Sequence, residues 1–197
     1  MPVKTPVLIL ASSSPRRKEL LSLLGMRFRT LPVDTDEKFD PSKTIEENVT
    51  AIAQQKAEAA WNMLHEPNEN VMVIGADTVV ALGSSALGKP GSYEEAVHML
   101  KKLQNTTHMV HTGFVLLSSE YSYSECVTTT VEFEPMSLQD IKRYLDQVKP
   151  FDKAGSYGIQ DPLMACHVRR IDGCYYNVVG LPVSRLCLAL KRYFPEI

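Results

Sequence analysis

Nowhere does this chain reach the roughly 20 consecutive apolar residues that a membrane span requires. Its opening, MPVKTPVLILASSSPRR, has too short an apolar stretch for a signal peptide. The cytoplasm is therefore the expected address, with no membrane partner. Cysteine is scarce, and Cys126, Cys166, Cys174 and Cys187 form no CxxC pair and lie near no metal-like histidine spacing. That excludes a zinc ribbon and leaves reduced core or surface thiols. Charge of one sign is also lacking: Lys+Arg 21 against Asp+Glu 23 gives a formal net charge of −2. The chain exerts no global pull on a polyanion, so no nucleic-acid partner is expected, and a nucleotide would need a local gathering of cations. His65, His98, His108, His111 and His167 show no metal-ligand spacing, and Tyr121, Tyr123, Tyr175 and Tyr176 read as strand-face residues rather than base-stacking platforms.

What is present is ample apolar material, 44% of 197 residues, enough for a sizeable core in one large domain or two tightly joined lobes. Val7 to Ala11 reads as a buried strand. Ser14 then caps a helix with Pro15 in its first turn, Leu20, Leu21, Leu23 and Leu24 on the buried face and Gly25 at its end. A second strand fits Arg27 to Val33, followed by an acidic loop with Asp34, Asp36, Glu37 and Asp40. Thr44-x-x-Glu47 is a capping box opening a long helix with the stripe Ile45, Val49, Ile52, Ala53, Ala60, Trp61 and Leu64. Val71 to Leu82 is β-rich but interrupted at Gly75-Ala76-Asp77. Ser92 and Ser137 cap two further amphipathic helices, the first running through Leu103 and the second burying Ile141, Tyr144, Leu145 and Val148. Between them His108 to Leu117 and Ser122 to Phe133 form a hairpin, and a loop from Asp152 to Asp161 leads to another turning at Asp172-Gly173. Counted outward from that turn, Cys166 lies several rungs from Cys174's partner, so no disulfide is expected. Pro182 opens a terminal helix with Leu186 and Leu190. The irregular alternation predicts an α/β mixed sheet.

Three features contradict ordinary folding rules. Arg16 and Arg17 fall in the first turn of a helix, where cations oppose the macrodipole by about 0.3 to 1 kcal/mol each. Free amides, serine hydroxyls and guanidinium groups together form a phosphate site; the competing reading is a solvated surface pair. Lys56 sits on the apolar stripe, i+4 from Ile52 and i−4 from Ala60, and needs either a buried partner or a stem that snorkels to water. Asp77 is a lone carboxylate among apolar strand residues, suited either to forming a turn or to holding a metal-bound water and accepting its proton.

Ser12-x-Ser14-Pro15-Arg16-Arg17-x-Glu19-Leu20-Leu21, Lys56-Ala57, Gly75-Ala76-Asp77-Thr78 and Lys89-Pro90 occur in order. Asp152-Lys153-Ala154-Gly155-x-Tyr157-Gly158-Ile159-Gln160 and Asn177-Val178-Val179-Gly180-Leu181-Pro182 follow them. This co-linear set resembles the Maf nucleotide pyrophosphatases over nearly the whole chain. The resemblance implies an elongated α/β fold of two lobes around a central mixed β-sheet flanked by helices, an active cleft between the lobes, and one Maf-like domain over 1–197, in the family often a homodimer. It implies hydrolysis of nucleoside triphosphates to monophosphate and pyrophosphate, with Asp77 catalytic. Ser12, Arg16, Arg17, Glu37, Lys56, Thr78, Lys89, Lys153 and Gln160 would bind substrate, and Asp77 with Glu37 would hold a divalent cation, Mg2+ or Mn2+. The SPRR arginine, Thr78 and Gln160 resemble the subgroup acting on dTTP and UTP, the planar amide of Gln160 matching the carbonyl and N–H edge of the base. Gly88 stands where relatives commonly have an acidic residue before Lys-Pro. A non-catalytic nucleotide-binding regulator of cell division is the alternative, and the lone acid among cations argues against it.

Overall fold

The computed structural model describes residues 7–64 and 70–195. His65 and the first six residues of the opening segment lie outside them. Among the described residues, strands β1 (Val7–Ala11), β2 (Phe28–Thr30), β3 (Val71–Leu82), β4 (Ser85–Leu87), β5 (Thr107–Leu117), β6 (Ser122–Phe133) and β7 (Val168–Asp172) are interspersed with six α-helices. These are α1 (Pro15–Ser22), α2 (Ile45–Asn62), α3 (Tyr93–Leu103), α4 (Leu138–Val148), α5 (Tyr175–Val179) and α6 (Val183–Lys191). The strands form one mixed sheet in the order β2-β1-β3-β5-β6-β7, with β4 paired to β3. β1 runs parallel to β2 and β3, whereas β3–β4 and β6–β7 are antiparallel. No helix among the described residues is long and apolar enough to cross a membrane.

The chain divides into two compact units. The first comprises Met1–Asp77, Thr112–Val127 and Gly180–Ile197, and the second Thr78–His111 and Thr128–Val179. In the first, α1 and α2 start where their caps predict, with Ser14 accepting from the Arg17 N–H and Thr44 forming a reciprocal capping box with Glu47. One face of β1, β3 and β5 contributes Ile9, Ala11, Val73 and Val115, over which α2 lays Ala53, Ala57 and Ala60. Small residues on the helix bring its backbone close to the sheet. In the second unit, Leu100, Leu103, Phe133, Ile141, Tyr144, Tyr157 and Met164 anchor a separate core.

Four local expectations need correction. β3 runs unbroken through Gly75-Ala76-Asp77, in register with β1 from Val7↔Val71 to Ala11↔Gly75. The glycine there admits a helix rather than breaking the strand. The second strand is confined to Phe28–Thr30, and Leu23 is 60% exposed because α1 stops at Ser22. Asp172-Gly173 turns no hairpin: β7 leads into α5, so Tyr175 and Tyr176 are exposed helical residues. The turn is captured by Thr129, whose Oγ1 accepts from the Cys174 N–H at 3.0 Å and from Asn177 Nδ2 at 3.0 Å. The hairpin expected across Leu117 and Ser122 is present as β5 and β6, and all four cysteines are free.

The second core holds one polar group with a measurable consequence. His108 is buried, its Nε2 2.8 Å from the Tyr157 hydroxyl, and burial pushes its pKa down to about 4. Its Nδ1 has no hydrogen-bond partner among the described residues. An unfolded histidine titrates near 6.5, so below that pH the unfolded chain binds the extra proton. Stability is full above pH 6.5 and falls as pH drops toward about 4. From pH 7 to pH 5 this site should remove about 2 kcal/mol. In His108→Gln, which keeps an acceptor for Tyr157, the difference between urea denaturation curves at those two pH values should shrink by that amount. An unchanged difference would exclude His108 as the source.

Candidate active site

The register explains how a carboxylate comes to stand where it does. β1 ends at Ala11, paired with Gly75, so Asp77 lies two residues beyond the carboxyl end of a parallel strand. Ligands of open α/β sheets bind at such ends. Gly75 and Asp77 share a strand face, the face α2 covers. A Cβ on Gly75 would lie 2.2 Å from the Ala53 carbonyl oxygen and 2.9 Å from the Ala57 nitrogen. That approach delivers Lys56, the residue before Ala57, to Asp77. Its Nζ lies 2.7 Å from Asp77 Oδ1 and 2.6 Å from Glu37 Oε1. Lys56 and Asp77 are 7% and 8% exposed, so the lysine does not snorkel to water and the aspartate does not form a turn.

Glu37 comes from the acidic loop before α2, which is held by a residue the sequence reading missed. Asn48 is buried, donates through Nδ2 to the carbonyls of Asp40 and Thr44, and accepts the Asp40 N–H on Oδ1 at 2.6 Å. Its signal was present, since Asn48, Ile52 and Lys56 lie at i, i+4 and i+8 on one helix face. Gly113 on β5 was also missed: a Cβ there would meet the Val49 carbonyl and Thr50 at 2.8 Å, so α2 sits tightly on two neighbouring strands.

The first turn of α1 contributes Arg16 and Arg17, and that turn itself holds no acidic residue. Arg17 is half-buried; its Nε donates to the Gly180 carbonyl at 3.0 Å and its Nη1 to Ser12 Oγ at 3.4 Å. It is therefore anchored and not merely a solvated cation. Desolvation pulls its pKa below the ordinary range, Asp77 opposes this, neighbouring Arg16 adds to it, and Glu37 opposes it. Arginine stays charged at any working pH, so these surroundings favour an incoming anion. Three cations, Arg16, Arg17 and Lys56, stand with two carboxylates, Glu37 and Asp77.

In the second unit Thr78 directly follows Asp77 on β3 and is half-buried, while Lys89 and Gln160 are exposed. The Gly155 N–H donates to the Gly88 carbonyl, joining the Lys89 loop to the Lys153–Gln160 segment. Lys153 is mostly buried and paired within its own segment, with Asp161 Oδ2 at 3.7 Å and Asp152 Oδ1 at 3.6 Å.

Among the described residues no group of three or more His, Cys, Asp or Glu is gathered as a metal site. Asp77 and Glu37 nonetheless converge on one cation, the Lys56 ammonium, each through a single oxygen. Two hard oxygen donors fit Mg2+ or Mn2+, which in nucleotide sites takes one or two carboxylates and completes its shell with phosphate oxygens and water.

The family model described as Maf-like protein matches residues 7–193. The chain belongs to this family. A dTTP/UTP pyrophosphatase of Pelodictyon phaeoclathratiforme is 58% identical over 188 residues, covering 95% of this chain and 98% of the relative. A dTTP/UTP pyrophosphatase of Chlorobaculum tepidum is 53% identical, covering 95% of each chain. One of Bacillus velezensis is 46% identical, covering 96% of this chain and 97% of its own length.

Proposed function

We propose that this protein is a nucleoside triphosphate pyrophosphatase converting dTTP and UTP, and modified pyrimidine nucleotides, to the monophosphate and pyrophosphate, so removing noncanonical nucleotides. The observation that carries this reading is the buried Lys56 ammonium between Asp77 and Glu37, in electrostatic company with the two arginines of the α1 first turn. Anion binding alone calls for cations. A buried carboxylate among them serves chemistry.

In this reading Ser12, Arg16, Arg17, Lys56 and Lys89 bind and neutralise the triphosphate, with Lys153 supporting them. Water attacks the α phosphorus in line, its oxygen forming the new P–O bond as the bond to the α–β bridging oxygen breaks and pyrophosphate departs. Asp77 orients that water and accepts its proton. Asp77 and Glu37 would hold a divalent cation, which supplies charge neutralisation on the phosphate oxygens. Gln160 and Thr78 select the base. The chain acts as one domain over 1–197, in the cytoplasm and as a homodimer, without nucleic acid. Full-length relatives named dTTP/UTP pyrophosphatase support the substrate class.

Pyrophosphate release with Mg2+ should be fastest for dTTP and UTP in a panel with CTP, modified pyrimidine triphosphates and 7-methyl-GTP. A preference for 7-methyl-GTP would overturn the base assignment and leave the reaction class. Absence of release from every nucleotide would overturn the hydrolase.

A further inference from the structure

In the second unit a buried tyrosine, which the mechanism above does not use, is built into the segment that carries Gln160. Tyr144 on α4 is 1% exposed, and its hydroxyl donates to Asp161 Oδ2 at 2.6 Å. The same hydroxyl accepts the backbone N–H of Gly158 at 3.0 Å. Asp161 is the residue after Gln160 and also pairs with Lys153, so the two ends of the 153–161 segment meet on one carboxylate. Gly158 lies against that carboxylate so closely that a Cβ there would sit 2.7 Å from Asp161 Oδ2. Its nitrogen is thereby held to the hydroxyl and its carbonyl accepts the Asp161 N–H at 3.0 Å. Burial and the Asp161 hydrogen bond both raise the pKa of Tyr144, which keeps the phenol protonated as a donor.

We propose that Tyr144 and Asp161 are positioning residues that set base selectivity: the Tyr144 hydroxyl, the Asp161 carboxylate and the Lys153 ammonium clamp the segment so that Gln160 is presented to the base from one fixed setting. The inference rests on the reading of Gln160 as the base-selecting residue. Its physical reason lies in the glutamine amide, which carries a donor on one side and an acceptor on the other. Turning the amide over exchanges the two, so a glutamine on a loose segment satisfies the N3–H and carbonyl of uracil or the N3 and amino group of cytosine alike. The amide turns about its own side-chain bond, and holding the backbone fixes the point from which it reaches the base, which narrows the settings in which a turned-over amide still meets a base edge. Exposed Gln160 sits one bond from the clamp, whereas a clamp built only for stability has no need to end at that residue.

The test is Tyr144→Phe, which keeps the ring in the core and removes one oxygen. Three readouts are taken on the full chain: kcat and KM for UTP and CTP, binding of α,β-methylene-UTP and α,β-methylene-CTP by calorimetry, and hydrogen exchange of the Gly158 amide. The expected result is about a tenfold weaker uridine analogue with the cytidine analogue changed less than about twofold. KM for UTP should rise in parallel, kcat should stay within about twofold, and Gly158 exchange should accelerate about tenfold. Equal loss for both analogues, or an unchanged UTP to CTP preference in an active variant, overturns the positioning role. Wild-type protein that binds the uridine analogue selectively but hydrolyses nothing would reject the hydrolase reading and leave the clamp standing. Asp161→Asn, which weakens the hold on Lys153 while still accepting from Tyr144, should show a smaller change in the same direction; a change in the opposite direction also rejects the clamp.

Discussion

Asp77→Asn is expected to lower kcat for dTTP and UTP by about a thousandfold, the range over which a positioned acid or base acts, while the protein stays folded. The asymmetry between these outcomes follows from the charge count. Asp77 shares the Lys56 ammonium with Glu37, which lies 2.6 Å from Nζ and keeps its charge when Asp77 loses its own. Stranding a buried charge altogether costs about 3 to 5 kcal/mol. Here the lysine keeps a full counter-ion, and the asparagine oxygen still accepts a hydrogen bond, so the loss should be about 1 to 2 kcal/mol. Pyrophosphate release and urea denaturation on the same preparation separate the two quantities. A variant turning over at near wild-type rate would remove Asp77 from the chemistry, whatever its stability.

The parts of this arrangement that were legible in the sequence are those that violate a local rule. Arginines in a helix first turn, a lysine on an apolar stripe and an aspartate inside an apolar strand each conflict with their surroundings and so announce a partner. Capping residues were equally plain, because a cap is settled within four residues. Less legible was anything decided by a distant segment. Gly75 looked like a strand breaker because its reason, the backbone of α2, lies some 20 residues away in sequence. Gly113 drew no notice for the same cause. The Asp172-Gly173 turn resembled a hairpin until Thr129 on β6 showed where its amides are satisfied. Asn48 could have been found, since it shares a helix face with Lys56. The loop it secures has no periodicity to mark it. That Lys56, Glu37 and Asp77 meet at one ammonium depends on a sheet register and a helix height that no local pattern encodes.

The second large effect is expected at Gly75, which touches no substrate. In Gly75→Ala the added Cβ would fall 2.2 Å from the Ala53 carbonyl oxygen and 2.9 Å from both the nitrogen and Cβ of Ala57. These are mostly backbone atoms within a helical turn and cannot rotate away. α2 must lift from β3, and overpacking of this kind costs about 1 to 3 kcal/mol or more. The lift also carries Lys56, adjacent to Ala57, away from Asp77. A displacement of about 1 Å at a reacting group is enough for roughly a hundredfold loss of turnover. The matching change on the neighbouring strand separates the two effects. Gly113→Ala would press on Val49 and Thr50 at 2.8 Å, almost two helical turns before Lys56. It should cost comparable stability with a much smaller loss of kcat, measured at a temperature where both variants are folded. If both glycine variants lost activity only in proportion to their unfolded fraction, close packing at Gly75 would be a matter of stability, and the placement of Lys56 over Asp77 would need another cause.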